Sequence, residues 1–251
     1  HVHLEGDAWN IMYPPELKFT PKEINYEDIL FIYLAKGITT LQVMSAFPEH
    51  VALREKIKAN QLLGPSLVLS RMIDGVGKSW PPPISTWIEG ADQARSAVQN
   101  AYETGYDRIK VYSFLDKPSY DTIMKVAGLL KMPVDGHIPL STSVEHIIAS
   151  GQVMVAHSEE FMQFAPDYKP ETIHSMASQL AEGNVWLTAT LITSRNLVNL
   201  FEHPDLEFSK PGTAKLHPLG MGIWTYIYEN LYKPIPESHQ QYIKLSYETF
   251  Q

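Results

Sequence analysis

The chain has 251 residues, 44% of them apolar and 19% charged, a balance that supports an extensive core and excludes a disordered polypeptide. Lys and Arg number 20 against 28 Asp and Glu, a net charge of −8 with no dense basic block, so the sequence carries no electrostatic footprint for nucleic acid or an anionic membrane. Cysteine is absent, which removes disulfides, thiolate metal ligands and a Cys nucleophile together, and no run of about 18 apolar residues reads as a membrane span. A small-molecule or peptide substrate is the expected partner. A homo-oligomer is allowed, and the compartment is left open.

In chain order, HVHL at 1–4 reads as the end of a first strand and is followed by helical spacing over 26–36. Strands are then expected at 37–44, 66–73, 107–113, 133–139, 152–158 and 184–193, where short β-branched or apolar runs recur. Between them, helical spacing runs over 49–60, 88–104, 120–130, 144–149 and 170–182. Strands alternating with helices need parallel pairing through right-handed crossovers, which leaves an open doubly wound sheet or a closed barrel. No Gly-rich G-x-G-x-x-G turn or phosphate loop follows any strand, so the expected fold is an α/β, TIM-like (β/α)8 barrel.

Seven of the eight strands are accounted for, and an eighth is not evident. The expectation is one incomplete barrel domain over 1–251, truncated at both ends. Its Pro- and Gly-interrupted stretch over 201–237 is read as a surface excursion, followed by a helix at 238–251.

Chemistry-bearing residues gather at predicted strand ends. His1 and His3 are two apart, a spacing that in a strand puts both imidazoles on one face, although a fortuitous HVH has the same pattern. Lys110 sits mid-strand in DRIKVYS on the face opposite Ile109 and Val111, where a buried ammonium needs a carboxylate, a neutral state or a chemical modification. An ordinary interior ion pair would also satisfy it. His137 ends PVDGHIP and His157 ends QVMVAHS, and either alone reads as a hydrogen-bonded core histidine. Together, four histidines and a lysine on one barrel rim are hard to assign to packing and point to a metal site.

These segments resemble the metal-dependent amidohydrolase superfamily, and most of all its imidazolonepropionase-like branch. HVHL resembles the strand-one metal motif and GITTLQVMSAFPEHVALREKIKANQLLGPSLVLS the second strand, helix and third strand. DRIKVY resembles the lysine strand, and VDGHIP with QVMVAHSEE the two later histidine strands. The resemblance implies that His1 and His3 ligate one divalent ion and His137 and His157 a second, zinc first among the candidates. Lys110 would bridge the two as a carbamate formed with carbon dioxide. A hydroxide held between the ions would then attack an amide-type carbonyl. The aspartate that the family places after strand eight, as ligand and general base, has no counterpart here, and Asp205 is a poor substitute.

The implied activity is hydrolysis of a C–N bond in a dipeptide, an N-acyl amino acid or a cyclic amide. Lys110, His137 and His157 would form the catalytic set. Substrate contacts are sought in the loops after the strands: Met44, Ser45, Arg71, Tyr112, Ser113, Glu159, Glu160 and Arg195. Tyr112 is preferred because it shares a face with Lys110. Arg71 or Arg195 could clamp a substrate carboxylate or simply pair with structural carboxylates. Two other classes stay open at this point: a metal-free barrel that binds a small ligand, and a lyase or isomerase with a single metal. The remaining histidines, His50, His146, His174, His203, His217 and His239, read as surface or packing residues.

Overall fold

A computed structural model of the chain describes residues 1–4, 25–77, 80–165, 169–213 and 218–250, with side chains left aside at 218–220 and 223. His217 lies outside the described residues. The chain divides into two compact units. The first comprises His1–Ala156 with Ser175–Thr188, and the second His157–His174 with Ala189–Gln251.

The first unit is built on parallel strands β1 (Thr40–Val43), β2 (Ser66–Gly75), β3 (Thr86–Ile88), β4 (Arg108–Val111), β5 (Val134–Gly136), β6 (Met154–Ala156) and β7 (Trp186–Thr188). They are ordered β1-β2-β4-β5-β6-β7, with β3 pairing the C-terminal end of β2. The N-terminal segment joins β1 through a single parallel bridge, Val2 to Val43. Helices α1 (Tyr26–Ala35), α2 (Pro48–Lys58), α3 (Gly90–Thr104), α4 (Lys117–Leu129) and α5 (Val144–Ser150) connect the strands, and α6 (Pro170–Glu182) runs from the second unit into the first.

The helices follow from local rules. In α3, Ala94, Ala97, Val98 and Ala101 are buried at helical spacing, and Gly105 ends the helix in the left-handed conformation at φ +93°. Asp116 and Ser143 cap α4 and α5 by accepting hydrogen bonds from the amides of Ser119 and His146.

The sheet is curled. Gln42 on β1 and Asp135 on β5 are three strand spacings apart, roughly 14 Å across a flat sheet, yet Gln42 Nε2 donates to Asp135 Oδ2 at 2.6 Å. Only a sheet closing on itself brings those side chains together. Its inner face carries Met44, Met154 and Ala156 in one buried cluster, and register places Ser70 beside Arg108, Met72 beside Lys110 and Lys110 beside Asp135. This is the incomplete TIM-like barrel expected from the sequence, with β3 as the strand that the sequence reading missed. β3 is three residues long, too short to show a period.

The second unit contains a 3₁₀ segment (Ser158–Gln163), α7 (Leu191–Glu202), α8 (Pro204–Phe208), α9 (Pro218–Ile227), a π-helical turn (Tyr228–Tyr232) and α10 (Glu237–Thr249). The strand expected at 184–193 stops at Thr188, and Leu191 already starts a helix. Thr190 turns the backbone at φ +54°, and Ser194 and Val198 are then buried one helical turn apart. Within the Pro-interrupted stretch, Pro204 opens a helix at its first turn, where a missing N–H costs nothing. Among the described residues, no helix is long and apolar enough to cross a membrane.

Candidate active site

The C-terminal ends of the first unit's strands gather most of the residues singled out in the sequence. The Val2 bridge extends the sheet by one strand and carries His1 and His3 on the same side of it, with their Nε2 atoms 3.0 Å apart. Lys110 comes from β4 and is almost completely buried, at 1% exposure. Its Nζ lies 5.2 Å from the centre of the Tyr112 ring, as expected for residues two apart on one strand face. The Tyr112 ring in turn stacks on His137, with centroids 3.8 Å apart.

Backbone geometry at β5 sets the position of His137. Gly136 adopts φ +124°, and a Cβ there would sit 2.1 Å from the carbonyl oxygen of Val111. Glycine therefore lets β5 approach β4 closely enough for the His137 amide to donate to that same carbonyl at 3.0 Å. Two further contacts steady the residue. Ser113 Oγ is 2.8 Å from His137 Nδ1, which directs Nε2 away from the Ser113 side. Gln152 Nε2 donates to the His137 carbonyl at 3.1 Å, while its Oε1 accepts from the buried Tyr120 hydroxyl at 3.0 Å.

The electrostatics are those of basic groups crowded together. Burial holds the His137 imidazole well below its usual range, and the charges of Lys110 and His3 push it the same way. Asp135, which register places beside Lys110, is fully buried and occupied by Arg108, whose Nη2 donates to Oδ1 at 2.6 Å while Nε pairs with Oδ2. Gln42 completes that network.

A divalent ion suits part of this donor set. Two imidazole nitrogens, each about 2.0–2.1 Å from one ion, stand roughly 3 to 3.4 Å apart at tetrahedral or octahedral angles, and the His1–His3 pair stands at 3.0 Å. Among the described residues, no three His, Cys, Asp or Glu side chains are grouped so as to hold a metal. A lysine counts as an oxygen donor only once it has been carboxylated, so Lys110 beside His137 is the position from which a further ligand would come.

Other sequence candidates are placed differently. Arg71 alternates with Ser70 and Met72 on β2 and so lies on the opposite face from Lys110. Its guanidinium donates to Thr86 Oγ1 at 2.8 Å, to the Pro83 carbonyl at 2.9 Å and to the Ala46 carbonyl at 3.3 Å. Arg71 thus ties the β1 and β2 loops together. Ser45 is buried and donates to the Ile84 carbonyl, and Met44 is buried in the interior cluster.

Four candidates belong to the second unit. His157 sits at φ +78°, a conformation that costs a non-glycine residue about 1 kcal/mol or more, and its Nδ1 is 2.7 Å from Thr190 Oγ1. Glu160 is buried, and burial raises the carboxyl of its neighbour Glu159 above the usual range. Arg195 is exposed on α7, not in a loop after a strand.

Of the histidines read as packing residues, His50 accepts from the Phe47 amide at the start of α2, and His146 pairs with Asp121 at 2.6 Å. The residues that the sequence reading missed are Trp80, Asp135 and Gln152. Asp135 and Gln152 had a signal, a polar side chain inside a strand run.

No family model matches the chain, and no curated protein matches it by sequence. Solved structures do. A bottromycin amidohydrolase superposes with a TM-score of 0.65 at 18% identity, covering 87% of this chain and 50% of its own. The chain shares the fold of that protein. An A. niger ochratoxinase gives a TM-score of 0.63 at 14% identity over 99% of this chain and 57% of its own. A Xaa-Pro dipeptidase with bound methionine in its active site gives 0.59 at 15% over 96% and 66%. The chain thus spans about half to two thirds of the length of these structures.

Proposed function

We propose that the protein belongs functionally with the metal-dependent amidohydrolases and cleaves an amide-type C–N bond, in a dipeptide, an N-acyl amino acid or a cyclic amide. What supports this reading is the convergence of the His1–His3 pair, buried Lys110 and His137 at the C-terminal rim of a curled parallel sheet. In barrels of this kind that rim is where chemistry is built. The amidohydrolase, ochratoxinase and dipeptidase with the same fold add to it.

In this reading His1 and His3 hold a divalent ion, zinc or one of similar preference, and Lys110 contributes as a carbamate. Carbon dioxide adds to its neutral amine, the N–C bond forms, and the amine proton departs to solvent. His137 and Lys110, once carboxylated, would supply donors for a second ion. When bound, such ions polarise a carbonyl and lower the pKa of water toward 7. The chain's own side chains do the rest. Ser113 keeps the His137 ring in one orientation through Nδ1. Tyr112, stacked on that ring and adjacent to Lys110, is the side chain that a bound amide meets first.

The test is elemental analysis of the protein prepared with zinc and bicarbonate, together with hydrolysis of a panel containing Xaa-Pro dipeptides, N-acyl amino acids and cyclic amides. Stoichiometric metal and turnover that both disappear in His3→Ala and Lys110→Ala are expected. A wild-type protein that retains no metal, or turnover that survives both substitutions, overturns the reading.

A further inference from the structure

Beyond the metal-type residues, the same rim carries an aromatic ledge. Trp80, in the loop between β2 and β3, donates its indole N–H to the Tyr112 hydroxyl oxygen at 3.2 Å. Trp80 is itself held through its backbone, because Trp87 on β3 donates its own indole N–H to the Trp80 carbonyl at 2.9 Å. Two residues beyond Tyr112, the Phe114 amide donates to Asp74 at the end of β2 at 2.8 Å. The Phe114 backbone packs so tightly on Gly75 that a Cβ there would lie 2.3 Å from its carbonyl oxygen.

Apolar surface around these contacts nonetheless faces solvent. Trp80 is 36% exposed, Phe114 38% and Val76, next to Gly75, 51%. Single exposed apolar residues are ordinary, whereas several held rigidly beside a site mark a place where a ligand is bound.

We infer that Trp80 and Tyr112 form a subsite for an aromatic group of the amide substrate, with the indole of Trp80 as its stacking surface. This deepens the hydrolase reading and rests on it for the identity of the amide. Two features select an aromatic group. The Trp80–Tyr112 hydrogen bond orients the exposed indole, whose face an incoming ring can meet in offset or edge-to-face contact, a gain beyond simple area burial. The ledge also adjoins His137 through the Tyr112 stack, so a substrate with its carbonyl at the basic cluster lays its next substituent there.

The experiment compares N-benzoylglycine with N-acetylglycine, which differ only in the ring, by calorimetric binding to the full chain and in parallel by hydrolysis. The wild-type protein is expected to bind the benzoyl compound about tenfold more tightly. That preference is expected to vanish in Trp80→Ala and to persist largely in Trp80→Phe, with thermal unfolding confirming that both variants fold. Equal binding of the two probes, absence of binding by either, or a preference untouched in Trp80→Ala overturns the subsite. If the ring preference holds while no member of the hydrolysis panel is turned over under any metal condition, the hydrolase reading fails and the aromatic subsite stands.

Discussion

Replacing Gly136 by alanine isolates how the fold positions its chemistry. The residue sits at φ +124°, and the added Cβ would lie 2.1 Å from the Val111 carbonyl oxygen, 2.9 Å from the Val111 nitrogen and 3.1 Å from Lys110 Cγ. The torsion alone costs an L-residue about 1–3 kcal/mol. The two closest atoms are backbone, so β5 must move off β4 by more than a side-chain rotation can absorb, adding about 1–3 kcal/mol as overpacking does elsewhere. Gly151→Ala is the control: it too has positive φ, at +83°, but nothing lies within 4 Å of the new Cβ, so it bears torsional strain only. Thermal unfolding followed by circular dichroism is expected to fall by about 6–12 °C for a loss of ~3 kcal/mol in Gly136→Ala. In Gly151→Ala a few degrees are expected. Equal losses in the two variants would refute the close-approach argument.

Further outcomes follow from the same geometry. Arg108→Met leaves the fully buried Asp135 with Gln42 as its remaining partner and is expected to cost about 3–5 kcal/mol in urea unfolding, whereas the double change Arg108→Met with Asp135→Leu recovers most of it; a double variant as unstable as the single one would argue against an ion-pair origin. Gln152→Leu removes the donor to the His137 carbonyl and the acceptor that Gln152 offers the Tyr120 hydroxyl, for a loss of about 1–3 kcal/mol; no change in urea midpoint would show that these bonds add nothing. Because burial holds His137 neutral in the fold, the unfolded chain binds the extra proton below its ordinary pKa near 6.5. Metal-free stability is therefore expected to decline as pH falls below that value, by up to about 1.4 kcal/mol per unit, and His137→Gln should flatten the decline. An unaltered slope would assign the pH dependence to other groups.

The alternation of strand and helix was legible because the interior strands are nearly continuous apolar runs and the helices bury one stripe, as Ala94, Ala97, Val98 and Ala101 do. Lys110 and His137 stood out for the opposite reason, as polar residues where a strand core is expected. What escaped depended on distance in the chain. Arg71 has the same local signature as Lys110, yet the parity that sets it on the opposite face follows from register with β4, which no single strand reveals. Trp80 could not be found from its own stretch because its meaning comes from Tyr112, 32 residues away. The end of the seventh strand was misplaced because TLIT suits a strand by composition, and the turn at Thr190 that starts α7 is a backbone conformation, not a composition.

The arrangement around Lys110 carries a cost that points to what would relieve it. A lysine at 1% exposure, with His137 beside it and the His1–His3 pair on the same rim, concentrates positive potential where solvent screening is weak. The one carboxylate that register sets next to it, Asp135, is already committed to Arg108 and Gln42. In the proposed reading, a carbamate on Lys110 adds anionic character at the lysine itself and creates oxygen donors for a cation. A cation alone meets a site of its own sign, which the carbamate would offset, so zinc and bicarbonate should stabilise the protein cooperatively. Binding at a hundredfold excess over the dissociation constant adds about 2.7 kcal/mol, a shift of about 5–11 °C for a protein of this size. Thermal unfolding with zinc plus bicarbonate is expected to exceed the sum of the separate shifts in the wild-type protein and to be merely additive in Lys110→Met. Strict additivity in the wild-type protein would mean that the buried lysine is held by the fold for another reason.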